Sequence, residues 1–190
     1  MNNIYAIQLI LTKGIGEKAI KRAIRFLQNT PGCDWNSLCS PSSNLWSFID
    51  VSQNIVESFF LEKEHSIRIY NQLHENQIQL IFENEGDYPR SLKNALGDDV
   101  PPFLFVKGNV KLLNSSGIGF CGSRRTSPKG LTIASECAKQ ITVEGFSIIS
   151  GYASGTDMAV HKYDHSFRFA QAQTGNETVS CQGGSLISLR

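Results

Sequence analysis

The chain has 190 residues, of which 41% are hydrophobic and 18% are charged. No apolar run approaches the roughly 20 residues that a membrane-spanning helix needs, so the composition predicts a globular protein with no membrane partner. The net charge of +1 at pH 7 neither supports nor excludes DNA binding, so any anion site must come from a local arrangement of residues.

The first part of the chain has the apolar spacing of helices. In "AIQLILTKGIGEKAIKRAIRFLQ", apolar residues recur at helical spacing on both sides of Gly14-Ile15-Gly16, which predicts two helices joined by a glycine turn. The same periodicity returns after a Ser/Pro loop in "NLWSFIDVSQNIVESFFLEKE" and continues in "SIRIYNQLHENQ". We therefore expect residues 1–76 to form a small all-helical domain.

Two features of this part have alternative interpretations. Lys13 and Lys18 flank the glycine turn, which suits either a contact with a DNA phosphate or only the packing of the two helices. The aromatic residues lie at helical spacing, which favours a place in the core over a platform for stacking bases. These aromatic residues are Trp35, Trp46, Phe48, Phe59 and Phe60.

From residue 77 onward, short β-rich runs replace the helical periodicity. The expected strands are Ile78 to Phe82, Phe103 to Val106, Gly117 to Cys121 and Phe146 to Ser150. Between the last two, Pro128 to Val143 has helical periodicity, and Pro128 suits a first helical turn. Strand, helix and strand in this order predict a βαβ unit, so we expect residues 77–190 to form an α/β domain with a parallel sheet.

Glycine-rich segments follow two of the predicted strands. "CGSRRTSPKG" begins where the third strand ends, and "SGYASGTDMAVHK" follows Ile148-Ile149. Ligands of open α/β sheets bind beyond the carboxyl ends of strands, so both segments are expected at one rim of the sheet. Glycines allow close approach of the backbone, hydroxyls donate hydrogen bonds and an arginine forms a charge-assisted fork, all of which suit a phosphate. The candidate ligands are Gly122, Ser123, Arg124, Gly151, Ser154, Gly155 and Thr156.

Neither segment has the fingerprint of a common nucleotide-binding loop. "GFCGSRRT" lacks the third glycine of G-x-G-x-x-G, and no G-K-[ST] of a P-loop follows it. Asp157 opens the next predicted helix and is expected to cap that helix rather than to act in catalysis. Cys121 has no base beside it and is expected to be a small buried residue. No catalytic residue is therefore predicted.

The cysteines and histidines predict neither a disulfide scaffold nor a metal site. The five cysteines are odd in number and contain no C-x-x-C pair, which favours reduced thiols in the cytoplasm. His161 and His165 have the spacing of two metal ligands on a helix, but no third ligand lies near them in the sequence. We therefore expect a cytoplasmic protein without a metal or another cofactor, in which His161 caps a helix or faces the rim.

Three segments together point to one family. In their order and spacing, "YPRSLKNALGDDVPPFLFVKGN", "GSR" and "IISGYASGTDMAVHK" resemble the DNA-processing protein A family, also called Smf. The resemblance covers residues 87–162, and "LTKGIGEKAI" is similar to that family's small N-terminal region of the sterile-alpha-motif-like or helix-hairpin-helix type. It implies a Rossmann-like domain that follows a small helical domain.

The resemblance also implies a function. Members are not enzymes; they bind single-stranded DNA, protect it in natural transformation and help to load a RecA-type recombinase. The implied partners are therefore single-stranded DNA, this recombinase and a second copy of the chain. Phosphate contacts make such binding indifferent to base sequence and sensitive to salt. The implied site consists of Gly122, Ser123 and Arg124 on a backbone phosphate, Ser150, Gly151 and Gly155 on the opposite wall, and Arg125 and Lys129 at a wider positive rim.

The last part of the chain departs from the family pattern. "YDHSFRFAQAQTGNETVSCQGGSLISLR" is polar and has little helical periodicity, where the family continues into further βα units. We interpret residues 162–190 as a divergent tail, either of a natural short variant or of a truncated or frame-altered product, and favour the second. The sheet is expected to be incomplete at this end, with one last strand within Gly175 to Cys181.

A second class of function stays open. Related Rossmann-like proteins include sensors of nucleotides and phosphoribohydrolases that carry a P-G-G-x-G-T loop with a nearby glutamate. "CQGGSLIS" has two of those glycines but lacks the proline, the third glycine and the threonine. A nucleotide-binding sensor is therefore a stronger alternative than an enzyme, because a rim that holds a DNA phosphate also accepts the phosphate of a mononucleotide.

Overall fold

The computed structural model describes residues 4–161 and the backbone of residues 167–172 and 185–189. His165, the predicted strand within Gly175 to Cys181 and the first half of "CQGGSLIS" lie outside the described residues. By its internal contacts the chain divides into two units, Met1–Asn84 and Glu85–Arg190. In the described part of the chain, no helix is both long enough and apolar enough to cross a membrane.

The first unit has the helices that the apolar periodicity predicted. Its elements are α1 (Ile4–Leu11), α2 (Glu17–Asn29), α3 (Asn44–Ile49), α4 (Gln53–Leu61), α5 (Lys63–Glu75) and β1 (Ile78–Phe82), with a 3₁₀ segment at Trp35–Cys39. Five consecutive residues of α1 are buried, because this helix is apolar on all sides and lies in the core. In contrast, α2 is amphipathic and buries one stripe, formed by Ile20, Ala23 and Ile24.

The glycine turn between α1 and α2 has an observed packing role. Gly14 has φ +94°, in the left-handed region that favours glycine, and a Cβ atom there would lie 3.1 Å from the Ile55 side chain. Ile15, at the centre of the turn, is buried. The predicted contact of this turn with a DNA phosphate stays a prediction.

The aromatic residues follow the core prediction in part. Trp46 and Phe59 are 4% and 0% exposed, and their rings lie edge to face with centroids 4.8 Å apart. The indole Nε1 of Trp46 donates to the Ser40 carbonyl at 2.9 Å, which satisfies its polar end. The prediction is wrong for Phe48, which is 49% exposed and packs on Phe26, because the opposite side of α3 faces the core.

The second unit is an α/β fold, as predicted. Its elements are α6 (Arg90–Leu96), β2 (Phe103–Lys107), β3 (Gly117–Gly119), α7 (Pro128–Val143), β4 (Ser147–Ser150), α8 (Thr156–Val160), β5 (Phe167–Ala172) and β6 (Ser185–Leu189). Its strands lie in the order β2-β6-β5-β4-β3. The pairs β3–β4, β4–β5 and β5–β6 are parallel, whereas β2 pairs with β6 in the antiparallel direction. The strands β5 and β6 and this antiparallel pair were not predicted, because the polar residues 162–190 were interpreted as a divergent tail with one strand within Gly175 to Cys181.

The predicted βαβ unit is confirmed by β3, α7 and β4. The bounds of α7 agree with the prediction at both ends, and the Ser127 hydroxyl caps its first turn by accepting the Gly130 N–H at 3.2 Å. However, β3 ends at Gly119, two residues before the predicted end. Cys121 therefore lies in the following loop, where it is exposed, and the expectation that it is buried is wrong.

A small apolar cluster holds the βαβ unit to α8. Ala138 of α7, Ile148 of β4 and Val160 of α8 are 0–1% exposed and pack together. Partly buried side chains from the same elements and their loops surround them, namely Phe120, Ala134, Ile141 and Tyr152. Because β4, α7 and α8 share this cluster, their packing fixes the positions of the ends of the loops between them.

Candidate functional site

The two glycine-rich loops both begin at the carboxyl ends of neighbouring strands of the sheet. In the parallel pair β3–β4, Gly119 lies opposite Ile149, so both strands end at one level. We call residues 120–127 the first rim loop and residues 151–156, which include the first residue of α8, the second rim loop. The predicted meeting of these two loops at one rim is observed, since hydrogen bonds and close contacts join them.

Glycines permit the close contact between the two rim loops. Gly155 has φ +89°, and a Cβ atom there would collide with the Ser123 carbonyl oxygen and lie 2.8 Å from the Arg124 carbonyl carbon. A Cβ atom on Gly122 would lie 2.6 Å from Cβ of Thr156. Both distances are shorter than a side chain tolerates. Gly155 therefore lets backbone approach backbone, and Gly122 makes room for the Thr156 side chain, while the predicted approach of both glycines to a phosphate stays a prediction.

A network of hydroxyl and backbone groups joins the rim loops further. The Ser123 carbonyl accepts the Thr156 N–H at 3.2 Å and the Thr126 hydroxyl at 2.5 Å. The hydroxyls of Thr126 and Thr156 lie 2.8 Å apart. Within the first rim loop, the Ser123 hydroxyl accepts the Arg125 N–H at 3.0 Å. The hydroxyls of Ser123 and Thr156, two of the predicted ligand groups, thus have partners inside the protein.

Asp157 has a different partner from the predicted one. Its Oδ2 accepts the N–H of Gly151 at 3.1 Å, so the carboxylate closes the second rim loop instead of capping its own helix. Asp157 is 7% exposed, and this bond gives the buried carboxylate a donor. The local spacing could not show this, because the donor lies six residues earlier in a loop that folds back.

Ser150 and His161 form a buried polar pair beneath the second rim loop. The Ser150 hydroxyl lies 2.6 Å from Nε2 of His161 and also accepts the Tyr152 N–H at 3.1 Å. Tyr152 has φ +55°, unusual for a bulky side chain, and its ring packs on the imidazole with centroids 5.4 Å apart. The separation of the pair equals that of a nucleophile and its base. Yet Ser150 is only 6% exposed, and its hydroxyl already accepts a hydrogen bond from the second rim loop. We therefore assign the pair a structural role, which is to stabilise the conformation of that loop.

Ser150→Ala tests this assignment. The variant removes the acceptor of the Tyr152 N–H and one partner of His161, so we expect the Tyr152 amide to exchange with solvent at least several-fold faster. Hydrogen exchange followed by NMR measures this rate. Ser154→Ala, at an exposed position of the same loop, is the control and should leave the rate unchanged. An unchanged rate in Ser150→Ala would show that the hydroxyl does not hold the loop.

The exposed charges of the site are three cations. Arg124, Arg125 and Lys129 are exposed, and none of them forms an ion pair within residues 4–161. Residues 115–135 contain these three charged side chains and no carboxylate. Ser154 and Gly151 are exposed on the second rim loop. The rim therefore presents positive charge and a hydroxyl to solvent above a rigid pair of loops, an arrangement suited to an anion.

The sequence analysis missed two residues of the rim. Thr126 joins the first rim loop to Thr156 through their hydroxyls. Its methyl group packs on Gly130, where an added Cβ atom would lie only 2.7 Å from it. Nothing in the local sequence signals the contact with Thr156. Ser127 caps α7, and its position directly before Pro128 was a signal that could have identified it.

Comparisons with known proteins give one consistent result. Residues 79–185 match the family model described as DNA recombination-mediator protein A. The chain is 32% identical over 110 residues to DNA processing protein DprA of Bacillus subtilis, which covers 57% of this chain and 35% of that protein. It is 24% identical over 163 residues to Protein Smf of Synechocystis, which covers 78% of this chain and 37% of that protein. The chain thus spans about a third of the length of either curated relative.

A solved structure has the same fold. The X-ray structure of DNA processing protein A from Streptococcus pneumoniae matches with a TM-score of 0.65 and 18% sequence identity. The match covers 98% of this chain and 67% of that chain. At this identity the likeness concerns the fold, which agrees with the Rossmann-like sheet predicted from the sequence.

Proposed function

Because the chain belongs to the DNA recombination-mediator protein A family, we propose that its second unit binds the phosphate backbone of single-stranded DNA. The observation that carries this proposal is the group of three exposed cations, Arg124, Arg125 and Lys129, on the joined rim loops. A linear polyanion can contact several such cations at once, whereas a single small anion cannot. The backbone is the same for every base, so binding is expected to be independent of base sequence.

We propose binding without catalysis. The Ser150–His161 pair is buried and serves the second rim loop. The exposed polar side chains of the rim are cations, hydroxyls and the Cys121 thiol, which has no hydrogen bond to a base among residues 4–161. Cations and hydroxyls hold a phosphate without activating a nucleophile. The family name refers to recombination. From the family resemblance of the sequence, we further propose that the bound strand is passed to a RecA-type recombinase in the cytoplasm, as in natural transformation, and that a second copy of the chain takes part.

Competition separates DNA binding from a nucleotide sensor. A labelled single strand of 25 nucleotides, followed by fluorescence anisotropy, is displaced either by unlabelled single strands of 5, 10 and 25 nucleotides or by a mononucleotide. We expect the inhibitory concentration, counted as phosphate, to fall as the competitor lengthens, because a longer strand reaches more cations. Displacement by the mononucleotide at the same phosphate concentration as by the 25-mer would support the sensor and contradict the proposal.

A further inference from the structure

The cations of the first unit are concentrated on one helical hairpin. Residues 13–25 hold five of the seven lysines and arginines within residues 1–84, but one of the eight carboxylates. The remainder of that range is therefore clearly acidic. Four of the five cations, namely Lys18, Lys21, Arg22 and Arg25, lie on α2.

These four cations share one face of α2. At 100° per residue, positions 18, 21, 22 and 25 fall within an arc of about 100°. The opposite face is fixed in the core by Ile20, Ala23 and Ile24, so the charged face points to solvent. From Lys18 to Arg25 the stripe is roughly 10 Å long, the rise of seven helical residues. We call this stripe the α2 cationic face.

Part of this charge is already used inside the unit. The Arg22 guanidinium donates to the Ile49 carbonyl at 3.1 Å and pairs with Asp50 at 3.2 Å, which ties the end of α3 to α2. Lys18 and Arg25, one on each side of Arg22, are exposed and form no ion pair with any residue of 4–161. The charge available to a partner is therefore centred on Lys18 and Arg25.

A favourable interaction with the helix dipole does not explain Lys18 and Arg25. Lys18 lies in the first turn of α2, where the helix dipole favours a carboxylate, and the last turn, where a cation would be stabilising, has none. Exposed lysines and arginines in a row suit a partner with a row of negative charges. The phosphates of a nucleic-acid strand form such a row.

From this geometry we infer that the α2 cationic face is a second binding surface for a nucleic-acid backbone, separate from the rim loops. A nucleic acid fits better than a membrane, because the groups that α2 presents beside its cations are polar or only partly exposed, and its apolar stripe of Ile20, Ala23 and Ile24 is buried in the core. Binding to the α2 cationic face is expected to be independent of base sequence, because its available groups are cations that contact phosphates. This face does not depend on the rim for its own contacts, so the two surfaces can be tested separately.

The test is the double variant Lys18→Gln/Arg25→Gln in the full chain, which leaves Arg22 and its bonds intact. Binding of the labelled 25-nucleotide single strand is expected to weaken by about five- to tenfold. The slope of log K against log salt should become shallower by roughly 1.4, about 0.7 for each lost phosphate contact. Lys63→Gln/Arg68→Gln removes the same charge from exposed positions of α5 and is the matched control, expected to change neither quantity.

Equal effects of the two double variants, or no effect of the first, would overturn the inference. Thermal unfolding followed by circular dichroism should be the same for both, because the substitutions are on the surface. Failure of the rim proposal has a different signature. In that case Arg124→Ala leaves the affinity unchanged while Lys18→Gln/Arg25→Gln still lowers it.

Discussion

Gly155→Ala is expected to separate the two rim loops and to weaken binding of a 25-nucleotide single strand by at least about tenfold. The new Cβ atom would collide with the Ser123 carbonyl oxygen and lie 2.8 Å from the Arg124 carbonyl carbon, and neither backbone group can move aside like a flexible side chain. The backbone of Gly155, with φ +89° and ψ −126°, is also one that residues other than glycine rarely adopt, which adds a cost of about 1–3 kcal/mol. Anisotropy titration and thermal unfolding measure the two effects.

Gly145→Ala is the control for an alanine at a positive φ that meets no neighbouring atom. Gly145 has φ +85° and follows the end of α7, but a Cβ atom there would meet no atom within 4 Å. This variant should therefore lose about 1–2 kcal/mol of stability and bind the oligonucleotide with normal affinity. If the two alanine variants bound DNA equally well, the contact between the rim loops would not be what arranges the binding surface.

Arg124→Ala is expected to weaken binding of the same oligonucleotide by about tenfold. Arg124 follows Ser123, whose carbonyl is fixed by Thr156 and Thr126, so the arginine extends from a rigid part of the first rim loop. A charge-assisted hydrogen bond to a phosphate is among the stronger polar contacts, although exposure to solvent reduces its contribution. Anisotropy at one fixed salt concentration gives the ratio of dissociation constants.

Lys139→Ala controls for the loss of charge alone. Lys139 is exposed on α7, about 15 Å along the helix from Lys129, and therefore away from the rim. This variant should retain nearly the normal affinity. A similar loss in both variants would mean that DNA senses the overall charge of the unit, and Arg124 would have no specific role.

The sequence was sufficient where local patterns determine the structure. The helix Pro128–Val143 was predicted to the residue, because a proline in the first turn and a regular apolar stripe agree. The parallel pairing of its flanking strands followed from the βαβ order, and this pairing brought Gly122 and Gly155 to one rim. The motif in those loops also identified the family.

The sequence was insufficient where the outcome depends on contacts between distant residues. The contact of Gly122 with Thr156 and that of Gly155 with Ser123 were not predicted, because the partners lie about 30 positions apart in the sequence. Asp157 bonds to Gly151 rather than to its own helix, and Phe48 lies on the outer side of α3. Helical or strand periodicity predicts on which face of an element a residue lies, but not which distant residue packs against that face.

The dependence of affinity on salt tests the central claim most directly. The slope of log K against log salt is measured for the wild-type chain and for Arg124→Ala with the 25-nucleotide single strand. If Arg124 contacts a backbone phosphate, the slope of the variant should be shallower by about 0.7, the release of counterions from one phosphate of a single strand. A weaker affinity with an unchanged slope would contradict a phosphate contact, and no binding by the folded wild-type chain would contradict the proposed function itself.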